Sequence, residues 1–306
     1  MTLYRKYRPT KFEDMVGNKE TLESLKGMFS KPEHPHVFLF TGAAGCGKTT
    51  AARIVANEVL GADALSITEI NSANNRGIET ARQTILDMQV APFHGKYRVW
   101  IIDEVHKTTN DWQNAMLKPF EDTPEWVYFF LCTTNEEKLV PALKTRCSHC
   151  KFESLRPRYL SRLIKKVAQA EGIELDEEVL EEISESSEGS PRKALVLLEN
   201  VAGLDADKAL RLISSGVSGE DSEGIKDLCA ALIDKNATWG SVSTVIKKLE
   251  EDPEKVRYSV LGYMNSVLLK KRNDRAANVI ECFSEPFYNS GKPGLTLACY
   301  QSLYAE

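Results

Sequence analysis

The sequence predicts an α/β domain built on a parallel sheet, followed by helices alone, and three observations predict it. Short apolar runs of strand character alternate with helix-periodic segments as far as about Phe152. The first of these runs, His36-Val-Phe-Leu-Phe-Thr41, leads straight into a glycine-rich loop, Thr41-Gly-Ala-Ala-Gly-Cys-Gly-Lys-Thr-Thr50. Beyond Phe152 only the 3.6-residue period persists.

Taken in order, a basic arm, Tyr4-Arg-Lys-Tyr-Arg8-Pro9, opens the chain. After the glycine loop, Thr49 to Leu60 reads as a helix and Ser66 to Asn71 as a short strand. Arg76-Gly77 is a break, and Ile78 to Val90 has helical periodicity. Tyr97-Arg-Val-Trp-Ile-Ile-Asp103 is a buried strand ending in acid, and Trp126 to Thr134 is another. Pro119 falls in the helix expected between them and is expected to end or kink it. Helical patterns follow at about 158–171, 176–187, 191–202 and 206–214. The polar stretch Val217-Ser-Gly-Glu-Asp-Ser-Glu-Gly224 reads as a linker to a last helical bundle. Three domains are expected: 1–155, 156–216 and 217–306.

Composition narrows the function classes. The 306 residues carry a net charge of −5, which argues against a dedicated nucleic-acid binder. The average hides an asymmetry: Lys138 to Lys166 holds nine Lys/Arg and one acid, whereas Glu171 to Glu188 holds nine acids and no base. The first stretch suits phosphates and the second repels them. No apolar run reaches the length of a membrane span, and the polar N-terminus lacks a signal-peptide core. The seven scattered cysteines point away from a disulfide framework and toward a reducing cytoplasm. Cys147 and Cys150 have the spacing of half a zinc site, but no second Cys/His pair lies near them in sequence.

Gly42, Gly47, Lys48 and Thr49 satisfy G-x-x-x-x-G-K-[ST], the phosphate-binding P-loop. Glycines let backbone N–H groups converge on phosphate, and the following helix turns its positive end to the same charge. Gly42, Ala43, Ala44, Gly45, Cys46, Gly47, Lys48, Thr49 and Thr50 are therefore expected to cradle ATP, with Lys48 at the β- and γ-phosphates. Thr49 and Asp103 are the expected Mg²⁺ ligands. In Val99-Trp-Ile-Ile-Asp103-Glu104, Glu104 is placed to polarise the attacking water. An acid pair after a buried strand favours hydrolysis over transfer to a metabolite.

The order of motifs resembles the clamp-loader branch of the AAA+ ATPases. The P-loop comes first, then Asp103-Glu104-Val-His106, Leu143-Lys-Thr-Arg146-Cys147 and Gly189-Ser-Pro-Arg192; Tyr4 to Pro9 and Val16-Gly17 match the family's start. The resemblance covers roughly residues 1–205 and implies an AAA+ domain, a small helical lid and an all-helical collar. It implies that Tyr4, Arg8, Val16 and Gly17 flank adenine. Thr134, or its neighbour Asn135, would be sensor 1 and Arg192 sensor 2. Arg146, here in Thr-Arg-Cys, would act in trans as an arginine finger on a neighbouring subunit's ATP. The implied partners are other loader subunits in a homo- or hetero-oligomer (a pentamer), a sliding clamp and primer–template DNA.

Two helix starts carry the expected DNA contacts: Arg76, Gly77, Ile78 and Arg82 at one, Lys107, Thr108 and Thr109 at the other. Simple solvated charge is the alternative for Arg82 and Lys107. Met88, Val90 and Phe93 form an apolar helix tip expected to meet the clamp, with ordinary core packing as the alternative. The chain departs from bacterial gamma/tau in having no cysteine between Cys46 and Cys132, where a zinc module would stand, and no long segment after residue 306. Both departures lean toward a phage or replication factor C-like loader. The rivals are a branch-migration helicase, whose C-terminal domain contains strands, a silent nucleotide-binding scaffold subunit, and a monomeric P-loop kinase.

Overall fold

In the computed structural model, the described residues are 2–92, 94–214, 223–234, 237–249, 251–287 and 290–304. The chain divides into two compact units: residues 1–167 with 187–195, and residues 168–186 with 196–306.

The first unit opens with α1 (Leu3–Lys6) and α2 (Lys19–Phe29). Strands and helices then alternate: β1 (Val37–Thr41), α3 (Lys48–Ile54), β2 (Ile67–Asn71), α4 (Ile78–Met88), β3 (Arg98–Asp103), α5 (Asn110–Glu121) and β4 (Val127–Thr133). The short α6 (Pro141–Lys144) and β5 (Ser148–Lys151) complete the alternation. The sheet runs β2-β3-β4-β1-β5, and every pair is parallel. Both faces are covered, so β1 and β4 are buried throughout, as continuous apolar runs require. Alternation sorts their side chains into two cores. Phe38, Phe40, Tyr128, Phe130 and Cys132 pack to one side; Val37, Leu39, Val127, Phe129 and Leu131 pack to the other. Each large side chain fully buried this way contributes about 1.5–3 kcal/mol.

Three sequence expectations meet a different outcome. The α3 helix does not stay regular to Leu60 but widens into a π turn over Val55–Val59. Pro119 does not end α5 at the preceding residue. The helix continues to Glu121, two residues on, where the Asp122 N–H bonds to Lys118 O and Thr123 Oγ1 donates to Pro119 O. A proline that close to a C-terminus disturbs little that follows it. A fifth strand, β5, lies where none was expected, because Ser-His-Cys-Lys is short and polar with one buried side chain, an edge strand's pattern. Cys147 and Cys150 pack into different cores, so the pair does not converge on one ligand. No cluster of three metal-ligating side chains occurs among the described residues.

Helices α7 (Pro157–Glu171) and α9 (Pro191–Val201) each run from one unit into the other, with α8 (Glu177–Ser186) between them and α10 (Ala206–Ser214) after. In the second unit α8 packs on α10. The expected linker lies outside the described residues at 217–222; its last two residues open α11 (Glu223–Ile233). There follow α12 (Trp239–Lys248), α13 (Pro253–Lys270), α14 (Asp274–Cys282) and α15 (Gly291–Tyr304). They close around Leu228, Val256, Val260, Met264, Phe283 and Leu295. A buried ion pair fastens α13 to the turn after α14. Arg257 Nη2 lies 2.6 Å from Glu254 Oε1, Arg257 Nη1 donates to Phe283 O at 3.1 Å, and Glu254 Oε2 accepts the Phe287 N–H. No strand occurs among the described residues after Lys151.

Candidate active site

The carboxyl ends of β1, β4 and β3 lie side by side, and the residues that leave them build the site. After Thr41 the loop turns through Gly42, Gly45 and Gly47, all at positive φ. A Cβ on Gly42 would stand 2.0 Å from the Phe152 carbonyl oxygen, so only glycine fits. Lys48 is buried at 6 % exposure, and its ammonium donates to Gly42 O at 2.9 Å and Ala43 O at 2.7 Å. Thr49 Oγ1 donates to Asp103 Oδ2 at 3.0 Å, and Asp103 Oδ1 accepts the Glu104 N–H at 3.0 Å. One hydroxyl and one carboxylate held this close form the hard-oxygen donor set that suits Mg²⁺.

This loop forms the floor of a cavity of about 1360 Å³. Ala44 to Thr50, Asp103, Glu104 and Thr134 line it, together with Tyr4, Arg8, Val16 and Gly17 from the N-terminal segment and Arg192 from α9. Gly42 and Ala43 act from behind, through the carbonyls that hold Lys48. Arg8 Nε donates to Thr50 Oγ1 at 3.1 Å. Burial, and then the nearby Arg53, lower the Arg8 pKa from its ordinary value. The Arg192 guanidinium sits 4.9 Å from the centre of the Tyr4 ring. Sequence reasoning missed Tyr159, Arg162, Leu163 and Lys166, which line the same cavity from α7. Their i, i+3, i+4, i+7 spacing was the available signal.

Glu104 adopts φ 55°, ψ 38°, in the left-handed region. Its carboxylate lies 3.4 Å from His106 Nε2 and 3.4 Å from Lys107 Nζ. His106 Nδ1 lies 3.0 Å from Thr133 Oγ1, and Thr133 Oγ1 accepts the Asn135 N–H at 3.0 Å. Burial lowers the His106 pKa from its ordinary value; Glu104 opposes that shift and Lys107 adds to it. The imidazole is therefore neutral at pH 7. Thr134 faces the cavity, but it is Thr133 that bonds across to the Walker B turn.

Arg146 is absent from the cavity wall. It is held by Glu121 Oε2 through Nε at 3.2 Å and Nη2 at 3.0 Å, and by Ala142 O through Nη1 at 2.9 Å. The two helix starts expected to meet DNA are neighbours: the Thr109 N–H bonds to Arg76 O at 3.0 Å, and Thr109 Oγ1 caps α5 by accepting the Trp112 N–H. Arg76 is exposed, Gly77 is the N-cap of α4, and Ile78 packs against the core. Arg82 pairs with Glu79 at 2.7 Å on the surface. Thr108 departs from expectation, being buried with its hydroxyl donated to Val105 O. Met88 departs too: it is fully buried in the sheet core, because the α4 stripe of Ala81, Thr84 and Met88 faces the strands. Val90, 60 % exposed, keeps the surface position, and Leu86, 65 % exposed, joins it. Phe93 lies outside the described residues.

Two family models match consecutive parts of the chain. One, described as DNA polymerase III, delta subunit, spans residues 62–156; the other, RCF1/5-like, AAA+ ATPase lid domain, spans residues 162–202. The DNA polymerase III subunit gamma/tau of Mycobacterium tuberculosis is 32 % identical, across 80 % of this chain and 47 % of its own length. The DNA polymerase III subunit tau of Bacillus subtilis is 30 % identical, across 91 % of this chain and 54 % of its own. The chain thus spans about half the length of the curated relatives it matches. Among solved structures, the Thermotoga maritima RuvB Holliday junction branch migration motor superposes with a TM-score of 0.57. It shares 18 % identity over 79 % of this chain and 85 % of that one, a likeness of fold. With its P-loop, its Walker B carboxylates, its parallel sheet and its lid, the chain belongs to the clamp-loader branch of the AAA+ proteins.

Proposed function

We propose that this chain is an ATP-hydrolysing motor subunit of a DNA polymerase clamp loader. The observation that carries the reading is the convergence of Lys48, Thr49, Asp103 and Glu104 on one cavity while Arg146 stays outside it. Arg8, Arg162 and Arg192 line the cavity but the Thr-Arg-Cys arginine does not, so in this reading a neighbouring subunit's copy of Arg146 completes the site. In this reading residues 1–155 are the motor, 156–216 the lid and 217–306 the collar through which subunits assemble.

The division of labour follows from the chemistry. Lys48 leaves the Gly42 and Ala43 carbonyls for the β- and γ-phosphates, a charged acceptor being worth more than two neutral ones. Thr49 and Asp103 would hold Mg²⁺, which neutralises charge developing on the phosphates. Glu104 accepts the proton of the attacking water. Arg192 and Thr134 read the γ-phosphate from the lid side and the β4 side. Tyr4, Arg8, Val16 and Gly17 hold the base end. Arg76, Gly77, Arg82, Lys107 and Thr109 contact the DNA backbone without reading sequence. Leu86 and Val90 meet the clamp. Relatives named as gamma/tau support this reading over a branch-migration helicase, as does the absence of strands among the described residues after Lys151.

Steady-state ATP hydrolysis, measured with and without primer–template DNA and the cognate clamp, tests it. Stimulation by the two together is expected, with Glu104→Gln retaining ATP binding and losing turnover. A rate indifferent to both DNA and clamp refutes the loader reading.

A further inference from the structure

We propose that His106 is a positioning residue for hydrolysis: it holds the Glu104 carboxylate at the cavity wall and ties it, through Thr133, to the end of β4. The inference rests on the proposed role of Glu104 as the base.

Proton accounting along the chain of contacts fixes the direction of each bond. A carboxylate can only accept, so Nε2, which faces Glu104, carries the ring proton; Nδ1 then accepts from the Thr133 hydroxyl at 3.0 Å, while Thr133 Oγ1 accepts the Asn135 N–H, also at 3.0 Å. Nε2 faces Glu104 Oε2 at 3.4 Å, the long separation common at a site awaiting its substrate. The opposite tautomer would turn a lone pair toward a carboxylate.

The charges around the ring are Glu104 and Lys107 on its own turn, Lys138 beyond β4 and Lys48 from the P-loop. A neutral imidazole can steer the carboxylate without cancelling its charge, so Glu104 stays a base. Steering is needed. The Glu104 backbone is left-handed, its side chain is part-exposed, and Lys107 competes for the same oxygen at 3.4 Å. Thr133 is fully buried, and the next residue, Thr134, lines the cavity. A displacement of the β4 end therefore reaches Glu104 through one hydrogen bond, Thr133 to His106, and one 3.4 Å contact, His106 to Glu104.

Long-range ¹H–¹⁵N spectra of the histidine rings in the intact chain at pH 7.5 read the tautomer, with His106→Asn assigning the signal. A neutral ring protonated on Nε2 is expected; a ring protonated on Nδ1, or one averaging the two tautomers, overturns the proposal. Three variants give the kinetic test. His106→Leu removes both contacts, His106→Asn keeps only the group at the Nδ1 position, and His106→Gln keeps only the N–H at the Nε2 position. Leu and Asn should lower kcat about ten- to a hundredfold, with Gln restoring it to within about threefold of wild type and the ATP Kd moving less than about twofold throughout. A Leu variant with wild-type kcat, or a Gln variant no better than Leu, overturns the proposal. Glu104→Gln is measured alongside. If it hydrolyses normally, the reading of Glu104 as base fails, while the tautomer still reports whether the His106 contact exists.

Discussion

Replacing Arg146 with alanine separates what this side chain does for the fold from what it does for turnover. Its known contacts are two bonds to one Glu121 oxygen and one to the Ala142 carbonyl. The ion pair is open to solvent, with Arg146 32 % and Glu121 62 % exposed, so screening leaves it worth a fraction of a kcal/mol. With the carbonyl bond included, the loss is about 1 kcal/mol, a fall of about 2–4 °C in Tm. The kinetic loss is of another order. An arginine completing a neighbour's phosphoryl-transfer site is worth about 10³–10⁵ in rate, or about 4–7 kcal/mol of barrier. Because Arg146 is absent from its own chain's cavity wall, the ATP Kd should move by less than about twofold. Thermal melting, equilibrium binding of a fluorescent ATP analogue and steady-state hydrolysis give the three numbers. Mixing Arg146→Ala with Lys48→Ala, each inactive alone, should recover some turnover, since a mixed pair forms one site with both groups intact. A rate that falls only in step with ATP affinity or stability, or mixing that recovers nothing, refutes action in trans.

The helix tip and the P-loop give two further tests. Met88→Ala should cost about 2–5 kcal/mol by opening a cavity in the sheet core, read as a lowered Tm. Leu86→Asp and Val90→Asp should leave Tm nearly unchanged and weaken clamp binding measured by surface plasmon resonance. Gly42→Ala and Gly61→Ala both place a side chain at positive φ, but only the first meets an obstacle, the Phe152 oxygen 2.0 Å from the new Cβ. Gly61→Ala should cost about 1 kcal/mol, and Gly42→Ala at least twice that with loss of ATP binding, measured by denaturant unfolding and by titration.

The parts of this chain that announced themselves in sequence are those whose physics is local. A phosphate loop needs glycines at fixed steps, and a buried parallel strand needs a continuous apolar run, so β1, β3 and β4 and the side chains that gather at their ends were legible. What stayed hidden depends on neighbours distant in sequence. The β5 edge strand is polar because one flank and most of its side chains face water. Met88 and Val90 look alike on paper, and only the rotation of α4 against the sheet decides which one is buried. Thr108 and Thr109 differ by one residue, yet one caps a helix and the other turns inward. The link from Glu104 through His106 to Thr133 joins side chains 27 residues apart along its second step, a separation at which no spacing rule operates.

The backbone beneath Glu104 lies where a side chain beyond glycine costs about 1–2 kcal/mol; among the described residues Asn18 and Glu188 share that conformation, but of the three only Glu104 lines the cavity. With Glu104 as the proposed base, thermal robustness and turnover are opposed at residue 104. A descendant copy relieved of the need to hydrolyse would have a short path of drift, since glycine there would remove the strain and the base in one substitution. A homologous chain with an intact phosphate loop but glycine or asparagine at this place would be one retained for gripping nucleotide rather than spending it. The conformation of one residue thus offers a way to sort the working members of such an assembly from its passengers.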